Sequence, residues 1–326
     1  MYKWNHFRAD MVMDSFITIP RAFEMDLYGV AAEMEKTESV ALSYKFINQF
    51  NQLSDISKIK GPSVNYNAEE SNRRLAEAED LFCGIAPVNL SGAQFHLGVW
   101  DYATLFMGVE QIYIDLMERP ELLHAVIGRM TDCVLEGVKK VNEFKICDSN
   151  TNLCHCSHIY TEELLPDSGA GLAPITKNCW AFGLAQLFTS VSNEAFEEFE
   201  LPYISKMAGQ FGMIYYGCCD RLDHRLHLVK KIPNVKKISC SPWSDRNAFA
   251  ENIGPELVMS FKPNPAYIAG HTVDYDVIRQ DLLHTYNAAK ANHVNLEFIL
   301  KDISTVNHEP ERLARWADIA MEIVNQ

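Results

Sequence analysis

Short apolar runs alternate along this chain with longer amphipathic stretches. The runs are Asp14-Ser15-Phe16-Ile17-Thr18-Ile19-Pro20, Pro87-Val88-Asn89-Leu90-Ser91-Gly92, a weaker one ending Leu153-Cys154-His155-Cys156, then 180–186, 213–219, 235–241, 257–262 and 296–302. Each is mostly apolar and ends at polar, Gly or Pro residues, which is how strands buried on both faces read. Between them, residues 69–82, 110–145, 275–292 and 309–325 carry helical periodicity. Pro120 and Pro310 mark helix starts, because proline lacks only an N–H that the first turn leaves unused. Ser192 is placed to cap a helix whose first turn carries Glu194.

Strands alternating with helices predict βαβ units and parallel pairing. Eight such strands predict closure into one α/β domain, a (β/α)8 TIM-type barrel spanning residues 1–326. The stretch 21–66 is long for one connection and is expected to hold extra helices that form a lid. An open doubly wound sheet is the structural alternative. No Gly-x-Gly-x-x-Gly or P-loop pattern follows a strand, which removes support for its nucleotide-binding forms.

Composition narrows the function. The formal net charge of −14 disfavours nucleic acid and anionic membranes as partners. No apolar stretch is long enough to span a bilayer, and Met1-Tyr2-Lys3-Trp4-Asn5-His6 lacks the apolar core of a signal peptide. Nine scattered cysteines do not form a secreted disulfide framework, so reduced thiols and a cytoplasmic location are expected.

In α/β barrels the active-site groups come from the carboxyl ends of strands. Those ends here offer Asn89 with Gln94, the segment Cys154 to His158, Gln186, Tyr216 to Asp220, Trp243, Lys262, and Lys301 with Asp302. Cys218 and Cys219 are the sharpest pair. Adjacent cysteines seldom hold one ion together, so one zinc ligand is expected from them, with a His or carboxylate from a neighbouring strand. In an extended strand, Cys154, Cys156 and His158 would share one face and could complete such a site. Asp220, His155 and His158 are therefore the companion ligand candidates to Cys218. Lys262 stands at the end of a buried strand, where an ammonium is costly unless paired or used. It is expected to orient substrate or donate a proton. No Gly-x-Ser-x-Gly or His-Glu-x-x-His motif occurs.

Residues 188–203, Tyr215-Tyr216-Gly217-Cys218-Cys219-Asp220, Lys237-Ile238-Ser239-Cys240-Ser241-Pro242-Trp243 and Ser260-Phe261-Lys262-Pro263-Asn264-Pro265 together resemble the uroporphyrinogen decarboxylase superfamily. The likeness runs over roughly residues 85–326. It implies a (β/α)8 barrel, and either a tetrapyrrole decarboxylase or a cobalamin-dependent methyltransferase that exchanges methyl groups with a corrinoid protein. The decarboxylase branch uses two arginines after its first strand, and here only Arg21 stands there. The methyltransferase branch uses zinc held by a His-x-Cys pair and a later Cys. Here Tyr216 replaces the His, and Lys301-Asp302 stands where the later Cys would be, so only Cys218 carries over. The relatives also carry a longer N-terminal region before the first strand. With it shortened, the barrel floor is expected to lie open or to be covered by a partner subunit, as in a homodimer.

The resulting expectation is a methyltransferase-like enzyme that moves a methyl group between a small methylated or methoxylated compound and a corrinoid protein. Tyr216, Cys218, Cys219, Lys262 and Asp302 would form the reaction centre, zinc is its implied metal, and Asn89, Gln94, Gln186, Trp243 and Lys301 would contact substrate. The alternatives are a decarboxylase or lyase acting on a small or tetrapyrrole acid anchored by Lys262 and Arg21, and a non-enzymatic barrel that binds a corrinoid or tetrapyrrole.

Overall fold

The structure, a computed structural model, describes residues 5–12, 14–36, 44–148, 153–164 and 175–326. Its strands are β1 (Ile17–Pro20), β2 (Phe23–Asp26), β3 (Met34–Lys36), β4 (Tyr44–Phe46), β5 (Ser63–Tyr66), β6 (Val88–Ser91), β7 (Leu153–Cys154), β8 (Ser157–His158), β9 (Trp180–Gly183), β10 (Met213–Tyr216), β11 (Val235–Cys240), β12 (Val258–Phe261) and β13 (Asn295–Phe298). The chain is a mixed α/β fold built on one parallel ladder in the order β13-β12-β11-β10-β9. A second parallel pair, β1 with β6, lies beside it. A parallel bridge from His96 to Phe182 of β9 ties the chain after β6 to the ladder, and another joins Ala93 to Cys147.

Every expected strand except the third is present, and each is shorter than its apolar run. Among the described residues, β13 and β1 are not bonded to each other, so the ladder does not close into the expected eight-stranded barrel. The third run folds differently from expectation. β7 and β8 form a tight antiparallel hairpin with His155 at φ 54° in its turn. A turn needs a left-handed residue where a strand needs none, so Cys154, Cys156 and His158 do not share a face. The 21–66 stretch also differs. Its described part holds the antiparallel pairs β2–β5 and β3–β4 and a single 3-10 segment, Leu53–Lys58, in place of lid helices; residues 37–43 lie outside the described set. It packs against the helices Val99–Met107 and Pro120–Phe144.

The helices follow the sequence signals closely. Pro120 opens the 25-residue helix Pro120–Phe144, whose buried face carries Leu123, Val126, Ile127, Met130, Val134 and Val141. Ser192 accepts a hydrogen bond from the Ala195 N–H at 3.2 Å and starts Asn193–Phe199. Asp245 and Asp274 cap Arg246–Ile253 and Tyr275–Ala291 in the same way. Each such cap is worth about 1 kcal/mol. Among the described residues no helix is long and apolar enough to cross a membrane.

The two faces of the ladder differ in chemistry. Ile214, Tyr216, Ile238, Cys240, Met259 and Phe261 belong to the apolar core shared with the helices. The alternate positions Tyr215, Lys237, Ser239, Ser260 and Glu297 face the other side, where Tyr215 bonds Ser260 at 2.9 Å and Lys237 bonds Glu297 at 2.9 Å. Each of these bonds skips a strand. Strands two apart in a flat sheet lie nearly 10 Å apart, so the ladder curls around this polar face. Runs expected to be apolar on both faces are therefore two-sided here.

Gly217 ends β10 at φ +89°, a conformation that glycine alone adopts without strain. A Cβ there would meet Leu222 Cδ1 at 2.5 Å and Ser239 Cβ at 3.2 Å. Gly217→Ala should therefore destabilise the protein by about 2 kcal/mol. Urea unfolding checks this, with a lowered midpoint at unchanged slope as the expected result.

Candidate functional site

Beyond Gly217 the chain turns so that Cys218 and Cys219 follow directly from β10. The side chain of Asp220 folds back to accept the Cys218 N–H at 2.8 Å, which fixes the turn. From below, Ser239 donates to the Cys218 carbonyl at 2.5 Å and the Lys262 ammonium donates to it at 3.2 Å. Lys262 also contacts Ser239 Oγ and lies 5.1 Å from the centre of the Tyr215 ring. Leaving an ammonium dry would cost several kcal/mol, and these contacts offset that cost. Burial still pulls the Lys262 pKa below its ordinary value. Lys262 is only 2% exposed, so the structure places it as the floor under Cys218.

From across the ladder comes Lys301, just past β13. Its ammonium reaches Cys218 Sγ at 3.0 Å, Cys219 Sγ at 3.7 Å and the Asp302 carboxylate at 2.9 Å. In a flat sheet β10 and β13 would be about 14 Å apart. The curl of the ladder and the length of the lysine side chain close that gap. On the other side His155 Nε2 lies 3.5 Å from Cys218 Sγ. The hairpin turn presents this imidazole, and Phe182 holds it by stacking with ring centres 4.0 Å apart.

The two sulfurs are 3.6 Å apart and titrate in opposite directions. The Cys219 thiol, then His155, Lys301 and the charge of Lys262, hold the Cys218 pKa far below an ordinary thiol, against burial. Cys219 is pushed up because its neighbour carries the anion. The pair is therefore one thiolate beside one thiol. Burial tends to lower Lys301, but Asp302 and the Cys218 sulfur outweigh it and raise its pKa, so it stays protonated. An ammonium held against a thiolate makes a stabilised nucleophile.

Three acids lie behind the thiolate. Burial raises the pKa values of Glu200 and Asp220 and pushes Asp101 up to about 7. Asp101 accepts the Gln186 N–H at 3.3 Å, and Glu200 accepts the Tyr216 hydroxyl at 3.0 Å. Sequence reasoning missed Asp101 and Glu200. Both sit in helical stretches, where an acid reads as a solvated or dipole-facing residue, and only burial marks them out. His96 was missed as well. It packs edge-on against Phe182 at 5.1 Å, and burial followed by the nearby His155 keeps its pKa low.

The structure brings together Cys218, Cys219, His155, Lys301 and Asp302, with Lys262 beneath. It separates the other expected residues from them. Tyr216 lies on the opposite face of β10, buried against Phe196 and Glu200, because neighbouring residues of a strand face opposite ways. Tyr215, its neighbour, faces the polar side. Asp220 is used on the backbone. His158 stacks on Tyr160, and its carbonyl accepts Lys237 at 2.6 Å. Asn89 is half-buried within β6, Gln94 bonds Asp148 at 3.2 Å, Gln186 is exposed, and Trp243 is 62% exposed. Among the described residues none of these four side chains bonds to the two cysteines or to Lys301. Arg21 lines a separate cavity of about 590 Å³ with Arg74 and Glu70, so it and Lys262 do not face one acid.

Zinc would need donors converging at about 2.0–2.3 Å. Here the Lys301 ammonium stands among the donors, and the expected set Cys218, Asp220, His155, His158 is not assembled. Among the described residues no three His, Cys, Asp or Glu side chains form a metal-holding group. The arrangement of the described donors does not fit zinc, and the Lys301 ammonium contacts both thiols.

No protein-family model matches the chain, and no curated protein matches it significantly. Among solved structures, a methyltransferase from Methanosarcina mazei is similar to it, with TM-score 0.50 and 11% identity over 91% of this chain and 77% of that one. At that identity the likeness concerns the fold alone.

The raised Asp101 pKa has a consequence for stability. Between the ordinary carboxyl value of 3.8 and about 7, the folded protein keeps a proton that the unfolded chain has lost. Stability from this group is thus present at low pH and is lost as pH rises through that window. Asp101→Asn should flatten this part of the profile, which urea unfolding at a series of pH values measures.

Proposed function

We propose that this chain is a methyltransferase-type enzyme in which the Cys218 thiolate carries a methyl group between a small methylated compound and a corrinoid held by a partner protein. The observation that carries the reading is the thiolate–ammonium contact of Cys218 and Lys301, 3.0 Å long, at the mouth of a curled parallel ladder. The residue likeness to the corrinoid-dependent branch of the uroporphyrinogen decarboxylase superfamily and the fold likeness to a methyltransferase point the same way. On this reading the ladder is an open-sided variant of the (β/α)8 barrel.

The chemistry follows from the charges. The Cys218 sulfur attacks the methyl carbon, a carbon–sulfur bond forms, and the bond to the leaving atom breaks with its electron pair. Lys301 compensates the negative charge that moves from sulfur to the leaving atom, the role expected of a preorganised cation. His155, beside the sulfur, is placed to supply the leaving atom with its proton. A corrinoid at the cobalt(I) level would then take the methyl from the Cys218 thioether, and the electron pair of the broken carbon–sulfur bond would return to Cys218 as the thiolate held by Lys301.

Free methylcob(III)alamin, standing in for the corrinoid partner, tests the reverse step. The expected result is one methyl group on Cys218 by peptide mass spectrometry, with release of cob(I)alamin under anaerobic conditions. Lys301→Met should slow this roughly a hundredfold, and Cys218→Ser should abolish it. The reading fails if Cys218 gains no methyl faster than the solvent-exposed Cys83 of the same molecule.

A further inference from the structure

The methyl-transfer reading uses Cys218 as the nucleophile and Cys219 only as a thiol that steadies it. Cys219 is more open to solvent than Cys218, and its Sγ lies 3.6 Å from Cys218 Sγ and 3.7 Å from the Asp302 carboxylate. Lys301 touches both sulfurs. A carboxylate placed to accept a thiol proton, beside a sulfur already held by the Lys301 ammonium, is the layout of a stepwise dithiol oxidation.

We propose that Cys218 and Cys219 form a peroxide-responsive pair that closes into a vicinal disulfide and switches the site off. The steps balance. The Cys218 thiolate attacks a hydroperoxide, the O–O bond breaks, and a proton completes the alcohol or water that leaves; Cys218 becomes a sulfenic acid. Cys219 then gives its proton to Asp302 and attacks the Cys218 sulfur, and the sulfenic oxygen departs as water once that proton is returned to it. One thiol hydrogen, from Cys219, one proton from solvent and one peroxide are consumed. The product sulfur is neutral, so Lys301 loses its anion and the nucleophile is gone.

Cys147 and Cys179 also meet side chain to side chain, but both are buried, whereas Cys219 is partly open to solvent. Cys154 is buried and its pKa is pushed up to about 12, and Cys240 is buried and likewise raised. Cys156 meets the Tyr215 hydroxyl at 3.8 Å and lies beside the ladder's polar face. Cys83 is exposed but has no adjacent cysteine in the sequence.

This inference rests on the Cys218 thiolate of the proposed function and not on methyl transfer. Its test uses no methyl donor, so each can fail alone. The full chain is treated with hydrogen peroxide in the presence of dimedone, then digested for peptide mass spectrometry. Wild-type protein should lose two hydrogens across the Cys218–Cys219 peptide, and dithiothreitol should restore them. Cys219→Ser should instead accumulate the dimedone adduct at Cys218, roughly tenfold above wild type. Asp302→Asn, a milder change, should prolong the sulfenic stage and raise the same adduct. The proposal is overturned if Cys218 stays reduced at peroxide levels that oxidise Cys83. It is equally overturned if wild type and Cys219→Ser proceed to sulfonic acid at the same rate.

Discussion

The contact on which this site depends is an ammonium held against a sulfur, Lys301 on Cys218. Each half comes from a different part of the chain, and each is costly alone. A buried thiolate without cations would take up a proton. A half-buried lysine without an anion would lose charge or swing out to solvent. Together, with Asp302 and His155 at the rim and Lys262 beneath, they make a charge-balanced centre in an acidic protein. The curl of the ladder makes the meeting geometrically feasible. The cross-strand bonds Tyr215–Ser260 and Lys237–Glu297 describe that same curl deeper inside.

The elements themselves were legible. Pro120, Ser192 and Pro310 each sit at or within a residue of the helix start they signalled, and seven short runs became strands, because capping and periodicity act locally. What stayed hidden was pairing and facing. Leu153 to Cys156 looks like a strand, yet a left-handed residue at His155 makes it a hairpin, and single-residue composition does not encode that choice. Tyr215 and Tyr216 are identical in type and adjacent. Which one faces the polar side is a matter of strand parity, and a shift of one residue exchanges them.

The candidate site was legible in part for the same reason. Cys218 and Cys219 stand out as thiols at a strand end, and Lys262, Lys301 and Asp302 as charges at strand ends. Their mutual arrangement was not readable. Lys301 was expected to meet substrate and Asp302 to serve at the reaction centre; in the structure Lys301 contacts the sulfur first, with Asp302 steadying it. The ligand set expected for zinc dissolves into separate duties: Asp220 on the backbone, His158 on Tyr160, and His155 alone at the sulfur. Long-range contacts made by a curled sheet decide this, and no local pattern carries them.

The central claim is that Cys218 is a thiolate at neutral pH because Cys219, His155 and Lys301 together hold it so. Ultraviolet thiolate absorbance, taken as the difference between wild type and Cys218→Ser across a pH titration, measures it most directly. The account predicts a midpoint well below that of a free cysteine, about 8.5, moving upward in Lys301→Met. A wild-type midpoint at or above the free-cysteine value, unmoved by Lys301→Met, would contradict it.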